Sequence, residues 1–133
     1  MRRLYWLAII LGVTVIAAGG YIFITSPRYS NTEYHSGDLI VTDSLEIRDT
    51  RFVIDGSIIV KGKGKLTVID SKLEFRQESN NQYRIEVGDW GSEENSEIYF
   101  DNVVIDSNGK WMYASYAGAS KVTIINCENG NTP

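Results

Sequence analysis

The stretch Leu66-Thr-Val-Ile-Asp70-Ser-Lys-Leu-Glu-Phe75 contains two short runs in which apolar and polar residues alternate, separated by Asp70. A period of two places the apolar side chains of an extended chain on one face, so each run predicts a β-strand with one buried face. Aspartate favours a bend between strands, because its short side chain hydrogen-bonds nearby backbone and tolerates a left-handed conformation. The stretch therefore predicts a strand, a sharp corner and a second strand.

Three further segments repeat this pattern: Leu45–Ile54, Ile98–Ser107 and Val122–Asn129. Each begins apolar–x–apolar and carries Asp or Asn at its fifth position. The four segments start 21, 32 and 24 residues apart, a spacing typical of stacked structural repeats. Stacking predicts apolar columns built from alternate residues, and a ladder of corner residues that comprises Asp49, Asp70, Asn102 and Asn126.

The repeated motif resembles the right-handed parallel β-helix of the pectin-lyase-like superfamily, in which an asparagine-rich ladder marks one turn of each coil. The resemblance covers residues 38–129. It implies an all-β fold, a short right-handed parallel β-helix of about three coils, here behind one N-terminal transmembrane helix. An antiparallel β-sandwich is the alternative, since its short strands recur at comparable spacing and Asp55-Gly56 and Asn108-Gly109 are hairpin signals.

The segment Leu4–Ile24 has 21 residues and no charge. At about 1.5 Å per residue, a helix of this length spans the roughly 30 Å hydrocarbon layer. Arg2 and Arg3 precede it, so the positive-inside rule predicts a cytoplasmic N-terminus and an extracytoplasmic domain. A cleaved signal peptide, with Ala17–Gly20 as the cleavage site, is the alternative. The retained anchor is favoured because apolar residues continue where a polar region should precede cleavage.

These patterns divide the chain into an N-terminal transmembrane anchor at residues 1–25, a polar linker at 26–37 and a repeat domain at 38–133. Residues 4–24 would contact the lipid bilayer. The polar, breaker-rich sequence after Asn126 leaves the last repeat without a cap. Terminal repeats of stacked folds need caps. The expectation is therefore that the sequence is a piece of a longer β-helix, or that another chain covers this end, for example by end-to-end association.

The part after Ile24 is acidic, with 17 acidic and 11 basic residues and a net charge of −6. Nucleic-acid binding depends on neutralising phosphates, so no nucleic-acid partner is expected. The chain has one cysteine, Cys127, and one histidine, His35, which excludes an intrachain disulfide and a histidine-based zinc or nucleophilic site in the repeat domain. No metal and no cofactor are predicted.

Two groups of residues are candidates for ligand contact. The loop Gly88–Glu97 combines carboxylates with a tryptophan, but its spacing matches no calcium-binding loop. Aromatic residues also recur in or beside equivalent strands, where they would pack in the core or form a ladder that stacks on a sugar; they are Tyr83, Trp111, Tyr113 and Tyr116. The candidate contact residues are Trp90, Glu93, Glu94, Trp111 and Tyr113.

No catalytic residue is predicted. Enzymes of the resembled superfamily use clustered aspartates, whereas alternation places Asp101 and Asp106 at strand ends without a partner carboxylate. The predicted function is a non-catalytic binding or scaffold module, extracytoplasmic and held at the membrane, whose partner is a surface glycan or another protein. The alternative is the N-terminal fragment of a longer polysaccharide lyase or glycoside hydrolase.

Overall fold

Short alternating runs rich in β-branched residues form the strands of this fold. The structure is a computed structural model that describes residues 29–130, and every regular element in that range is a β-strand. The strands are β1 (Asn31–Ser36), β2 (Leu39–Val41), β3 (Ser44–Arg48), β4 (Thr50–Asp55), β5 (Ile58–Val60), β6 (Lys65–Phe75), β7 (Arg84–Val87), β8 (Glu97–Asp106), β9 (Tyr113–Tyr116), β10 (Lys121–Ile125) and β11 (Glu128–Asn129).

The strands form two sheets, and every pairing between them is parallel. The larger sheet has the order β1-β4-β6-β8-β10, with β3 also paired to β6 and β11 to β8; the smaller has the order β2-β5-β7-β9. The prediction of an all-β fold is confirmed, with parallel sheets. The antiparallel sandwich is wrong for this part of the chain, because the Asp-Gly and Asn-Gly pairs form no hairpin.

The pairing register is continuous across the larger sheet. Each strand lies beside one that precedes it by 19 to 32 residues. Paired residues line up across adjacent strands in rows, and one such row contains Thr32, Arg51, Lys72, Val104 and Glu128. The chain passes to the smaller sheet after β1, β4, β6 and β8 and returns to the larger sheet each time, and the core contains buried residues of both sheets.

Columns of apolar side chains form that core. Leu66 and Ile98 are paired neighbours, as are Val68 and Phe100, and all four are at most 3% exposed. The same columns continue to Val122 and Ile124 in β10, which are 39% and 53% exposed. Burial is therefore complete in the middle of the stack and incomplete at its C-terminal end.

The predicted linker at 26–37 needs correction, because Asn31–Ser36 is strand β1 and pairs with β4 along its whole length. Its residues are almost all exposed and polar, so no apolar alternation marked it as a strand. The edge position is the physical reason, since an edge strand needs only one hydrogen-bonded neighbour and little burial.

The predicted anchor at 1–25, and residues 26–28 and 131–133, lie outside the described residues. Across residues 29–130, the structure contains no helix with the length and hydropathy that a membrane crossing demands.

The four ladder residues occupy equivalent corners of the larger sheet: two lie between strands, Asp49 before β4 and Asn126 before β11, and two lie within long strands, Asp70 in β6 and Asn102 in β8. Asp49, Asp70, Asn102 and Asn126 all have positive φ, between 51° and 57°. They occupy equivalent register positions, because each follows a residue paired in the same row: Arg48, Ile69, Asp101 and Ile125. Asp and Asn accept this left-handed conformation more readily than other residues with a Cβ. A single residue in this conformation bends the chain between two strands, or between the two halves of β6 and of β8.

Two side chains of the ladder also hydrogen-bond to a residue of the adjacent strand. The amide of Asn102 donates to Asp70 at 2.9 Å, and that of Asn126 donates to Asp101 at 3.2 Å. At three of the four corners the next residue adds a hydrogen bond: the hydroxyls of Thr50 and Ser71 donate to the carbonyl oxygen two residues earlier, at 2.8 and 2.7 Å. Cys127 makes the same contact to Ile125 with its thiol.

Replacement of Asn102 by leucine should lower the free energy of unfolding by about 1–3 kcal/mol, from loss of the bond to Asp70 and from left-handed strain. Asn102→Gly is the matched control, because it loses the same bond but keeps the backbone freedom. Urea denaturation should rank wild type first, the glycine variant second and the leucine variant last. A leucine variant as stable as the glycine variant would contradict a conformational role for this corner.

Candidate binding surface

The C-terminal end of the stack presents three strand edges, one in the smaller sheet and two in the larger. Within residues 29–130, β9 pairs only with β7, and β10 and β11 pair only with β8, so no described strand lies against their outer edges. Parallel strands point alternate backbone N–H and C=O groups to each side, so all three edges offer hydrogen-bonding groups to a further strand. Tyr116, Val122 and Ile124 of this layer are exposed. An uncovered edge thus coincides with an uncovered apolar cross-section.

A cavity of about 740 Å³ opens beside the edges of β9 and β11. Its floor includes Ile85 and Ile105 of the core columns, and its rim includes Lys110, Trp111 and Glu128. Trp111 is 76% exposed. This volume and this mixture of an apolar floor with a few polar groups are typical of ligand sites. The end of the stack is therefore the part of the described chain best suited to contact a partner.

Gln77 holds the rim of the cavity in place and was missed by the sequence analysis. Its amide is fully buried and donates to the carbonyl oxygens of Ser107 and Trp111 at 3.2 and 3.0 Å, and it accepts from the backbone N–H of Tyr83 at 3.1 Å. Asn80 accepts from the backbone N–H of Trp111 at 2.9 Å. Trp111 is thus displayed on a segment that is bonded at both its N–H and its carbonyl group.

The aromatic ladder, which was the alternative to core packing for these residues, does not form, because the register places Tyr113 beside Arg84 rather than beside Tyr83. Trp111 and Tyr113 nevertheless come together, since both line the cavity. Tyr83 instead packs against the core and donates its hydroxyl to Asp55. The loop between β6 and β7 sets this register, and its length does not follow from periodicity.

Trp90, Glu93 and Glu94 lie on the loop between β7 and β8, apart from the cavity lining. Trp90 is 89% exposed and both glutamates are exposed as well. In the part of the chain that the structure describes, no three His, Cys, Asp or Glu side chains are grouped closely enough to hold a metal ion. The loop is anchored at its end by Ser96, whose hydroxyl donates to the carbonyl of Gly62 at 2.8 Å.

Carboxylates on the outer face of the larger sheet form ion pairs with basic side chains. Glu74 accepts two hydrogen bonds from Arg51, at 2.8 and 3.1 Å, and these bonds raise the pKa of the guanidinium above its ordinary value. Lys72 lies 3.8 Å from Glu74 and 3.5 Å from Asp106. Asp101 accepts the amide of Asn126. The two aspartates considered as catalytic candidates therefore have structural partners.

Comparisons with known proteins identify no family: no family model matches the chain, and searches of curated proteins and of solved structures return no match.

Tyr83 gives the domain a specific alkaline sensitivity. Its hydrogen bond to Asp55, with a smaller contribution from burial, raises the pKa of the phenol from 10.0 to about 12. The folded state thus favours neutral Tyr83, and this stabilisation is complete below pH 10 and lost as the pH rises towards 12. The free energy of unfolding, measured by urea denaturation at a series of pH values between 9 and about 12, should fall more steeply with pH for wild type than for Tyr83→Phe.

Tyr113→Phe is the control for this experiment, because the structure shows no bond between Tyr113 and a carboxylate. It should follow the wild-type pH profile. Identical profiles for wild type and Tyr83→Phe would show that Asp55 does not hold the phenol in its neutral form.

Proposed function

We propose that this chain is a membrane-anchored, extracytoplasmic and non-catalytic binding or scaffold module that contacts its partner through the C-terminal end of a β-solenoid. The observation that carries this proposal is the coincidence of three open strand edges with an apolar cavity at one end of the stack. Exposed apolar surface of this kind is typical of interaction sites in soluble domains.

The finer architecture is part of the proposal. We infer that residues 29–130 form a short right-handed parallel β-helix with three strand segments per coil, one in the smaller sheet and two in the larger, where β6 and β8 each supply both. The continuous row from Thr32 to Glu128 supports this reading, because its members recur once per coil. Right-handedness is supported by the general rule that connections between parallel strands of one sheet are right-handed.

The anchor is proposed from sequence alone. Leu4–Ile24 has the length and composition of a transmembrane helix, and Arg2 and Arg3 favour a cytoplasmic N-terminus. Only residues 25–28 separate that segment from the first described residue, Tyr29. Four residues reach about 14 Å when extended. The domain would therefore lie close to the membrane surface.

A polypeptide partner fits the surface better than a glycan. Strand edges offer a row of N–H and C=O groups, which an added strand satisfies with main-chain bonds while its alternate side chains enter adjacent pockets. The edges of β9 and β11 lie beside the cavity and supply this combination. A sugar would use the exposed aromatic rings of Trp111 and Tyr113 but leave the strand edges open.

Topology can be tested with the single native cysteine removed. Cys127→Ser is a conservative background, since Ser71 makes the equivalent hydrogen bond. Glu93→Cys in this background places a thiol on an exposed loop. A membrane-impermeant maleimide should label it in intact cells to the same extent as in permeabilised cells. Labelling that requires permeabilisation would refute the extracytoplasmic location.

The contact surface can be tested by photo-crosslinking of the full chain in its own membrane. A benzophenone amino acid replaces Tyr116 at the C-terminal end or Trp90 on the β7–β8 loop; both positions are aromatic and strongly exposed, so they form a matched pair. We expect protein adducts from position 116 and few from position 90. Adducts from position 90 alone, or from neither, would exclude the C-terminal end as the contact surface.

A further inference from the structure

The outer edge of β10, on the side away from β8, offers backbone groups at two known positions. The N–H of Lys121 donates to the carbonyl oxygen of Ser96 at 2.8 Å, so every second residue from Lys121 onward directs its N–H and C=O groups towards β8. Alternation directs the same groups of Val122 and Ile124 to the outer edge, where no strand among residues 29–130 lies. Val122 and Ile124 are also the residues of β10 whose side chains extend the apolar columns.

This edge is complementary to itself about a two-fold axis through Thr123. When two copies of β10 lie antiparallel and centred on Thr123, Val122 of each copy is opposite Ile124 of the other. Opposite residues that direct their backbone groups across the gap exchange both N–H···O=C bonds. The axis is perpendicular to the sheet, so the side chains of Val122 and Ile124 remain on the apolar face in both copies.

We propose that the C-terminal end of this chain binds the same end of a second copy, through antiparallel pairing of the two β10 strands about Thr123. This inference rests on the proposed function and deepens it by naming the partner. The contact continues the larger sheet from one copy into the other. It also covers Val122 and Ile124, which are 39% and 53% exposed in the single chain. A two-fold dimer of this kind needs only one self-complementary surface, which both copies carry.

The N-terminal end of the stack is a poorer partner because part of it is already occupied. Strand β1 covers the outer edge of β4. Ser30 also bonds Asp49 through its N–H, at 3.4 Å, and through its hydroxyl, at 3.2 Å. A second copy that laid β10 along β3 would need this space for its own corner and for β11. Within the described residues, the C-terminal end instead leaves the outer edges of β9, β10 and β11 open.

Charge also favours contact between two C-terminal ends over contact between two N-terminal ends. Residues 29–49 carry five acidic side chains and one basic one, a net charge of −4, so two N-terminal ends repel. Residues 108–130 carry Lys110, Lys121 and Glu128, a net charge of +1. The two-fold axis places the two Lys121 residues at opposite ends of the strand pair, with their Cα atoms about 14 Å apart. This separation exceeds the screening length of about 8 Å at physiological ionic strength.

Attachment of both copies to one membrane is compatible with this dimer. A two-fold axis along the membrane normal keeps both N-termini on the same side, and the two stacks then run parallel to the surface in opposite directions. The row from β1 to β11 crosses four strand spacings in each copy. At about 4.8 Å per spacing, the two chains enter the membrane on the order of 40 Å apart. The contact therefore depends on the domains and not on association of the anchors.

Cysteine crosslinking of the full chain in its membrane tests the centre of the pairing. Thr123 lies opposite Thr123 of the second copy in a pair without mutual hydrogen bonds, whose Cα atoms are about 4.5 Å apart. A disulfide spans this distance. In the Cys127→Ser background, Thr123→Cys should therefore form disulfide-linked dimers on mild oxidation. Ile125→Cys is the matched control, because it lies on the same face of β10. Its Cα atoms in the two copies are about 14 Å apart, so it should form few dimers.

A mixed pair of variants tests the direction of the strands. Antiparallel register places Lys121 of one copy opposite Ile125 of the other. Coexpressed Lys121→Cys and Ile125→Cys chains, both in the Cys127→Ser background, should therefore crosslink to each other, whereas Lys121→Cys alone should not. Equal crosslinking of Thr123→Cys and Ile125→Cys when each is expressed alone would overturn the proposed register.

Two further variants of the Thr123→Cys chain add a readout of the apolar contact. Ile124 and Ile125 are neighbours of similar exposure, but of the two only Ile124 lies in an apolar column. Ile124→Gln should lower the yield of disulfide-linked dimer after brief oxidation about tenfold, equivalent to about 1.4 kcal/mol. Ile125→Gln should leave the yield nearly unchanged. Equal losses in the two variants would overturn the proposed contact.

The remaining outcomes separate this inference from the function on which it rests. Disulfides from Thr123→Cys, together with photo-adducts at position 116 that join two copies of this chain, would support both. No disulfide in any combination, together with adducts of a different protein at position 116, would overturn the inference and leave the proposed function standing. Absence of both disulfides and adducts would overturn the two together.

Discussion

Parallel pairing in constant register is the constraint on which the rest of this structure depends. A parallel ladder needs each strand to return beside its predecessor in the same direction, so the chain must travel around the core between contacts. The single left-handed residue at each larger-sheet corner makes that return reproducible, because Asp49, Asp70, Asn102 and Asn126 turn the backbone through the same conformation. Shared register then brings like residues together, and the apolar columns follow from it.

Burial is uneven because the columns run the length of the stack and stop. Leu66, Val68 and Phe100 have neighbours on both sides and are fully buried, whereas Ile124 has a neighbour on one side only. The surface proposed for binding is therefore a cross-section of the core itself. Its chemistry matches the interior, which explains why a cavity with an apolar floor lies between open strand edges.

Much of this fold was readable from the sequence because its signals are local. Alternation predicted the buried columns, and Asp or Asn at the fifth position of each repeat predicted the corners. Strand β1 escaped detection because a polar edge strand has no apolar period, and its register comes from β4 rather than from its own residues.

The candidate site was harder to predict because it depends on contacts between distant residues. Trp111 and Tyr113 were named, either as core residues or as parts of an aromatic ladder, and the observed register instead places them around a cavity. Gln77 carried no recognisable signal, since its role depends on backbone groups about 30 residues further along the chain. Trp90, Glu93 and Glu94 belong to a separate loop, so the five candidates do not form one site.

The corners also determine where this chain tolerates change in length. The ladder corner uses one residue in every layer, whereas the connections between β6 and β7 and between β7 and β8 span eight and nine residues, Arg76–Tyr83 and Gly88–Ser96. An added residue at the ladder corner would shift all following side chains to the opposite face. Insertions elsewhere lengthen a surface loop at little entropic cost. The ladder corner is therefore a position where insertions are not tolerated, whereas the loops between β6 and β7 and between β7 and β8 can grow during evolution without changing the strands.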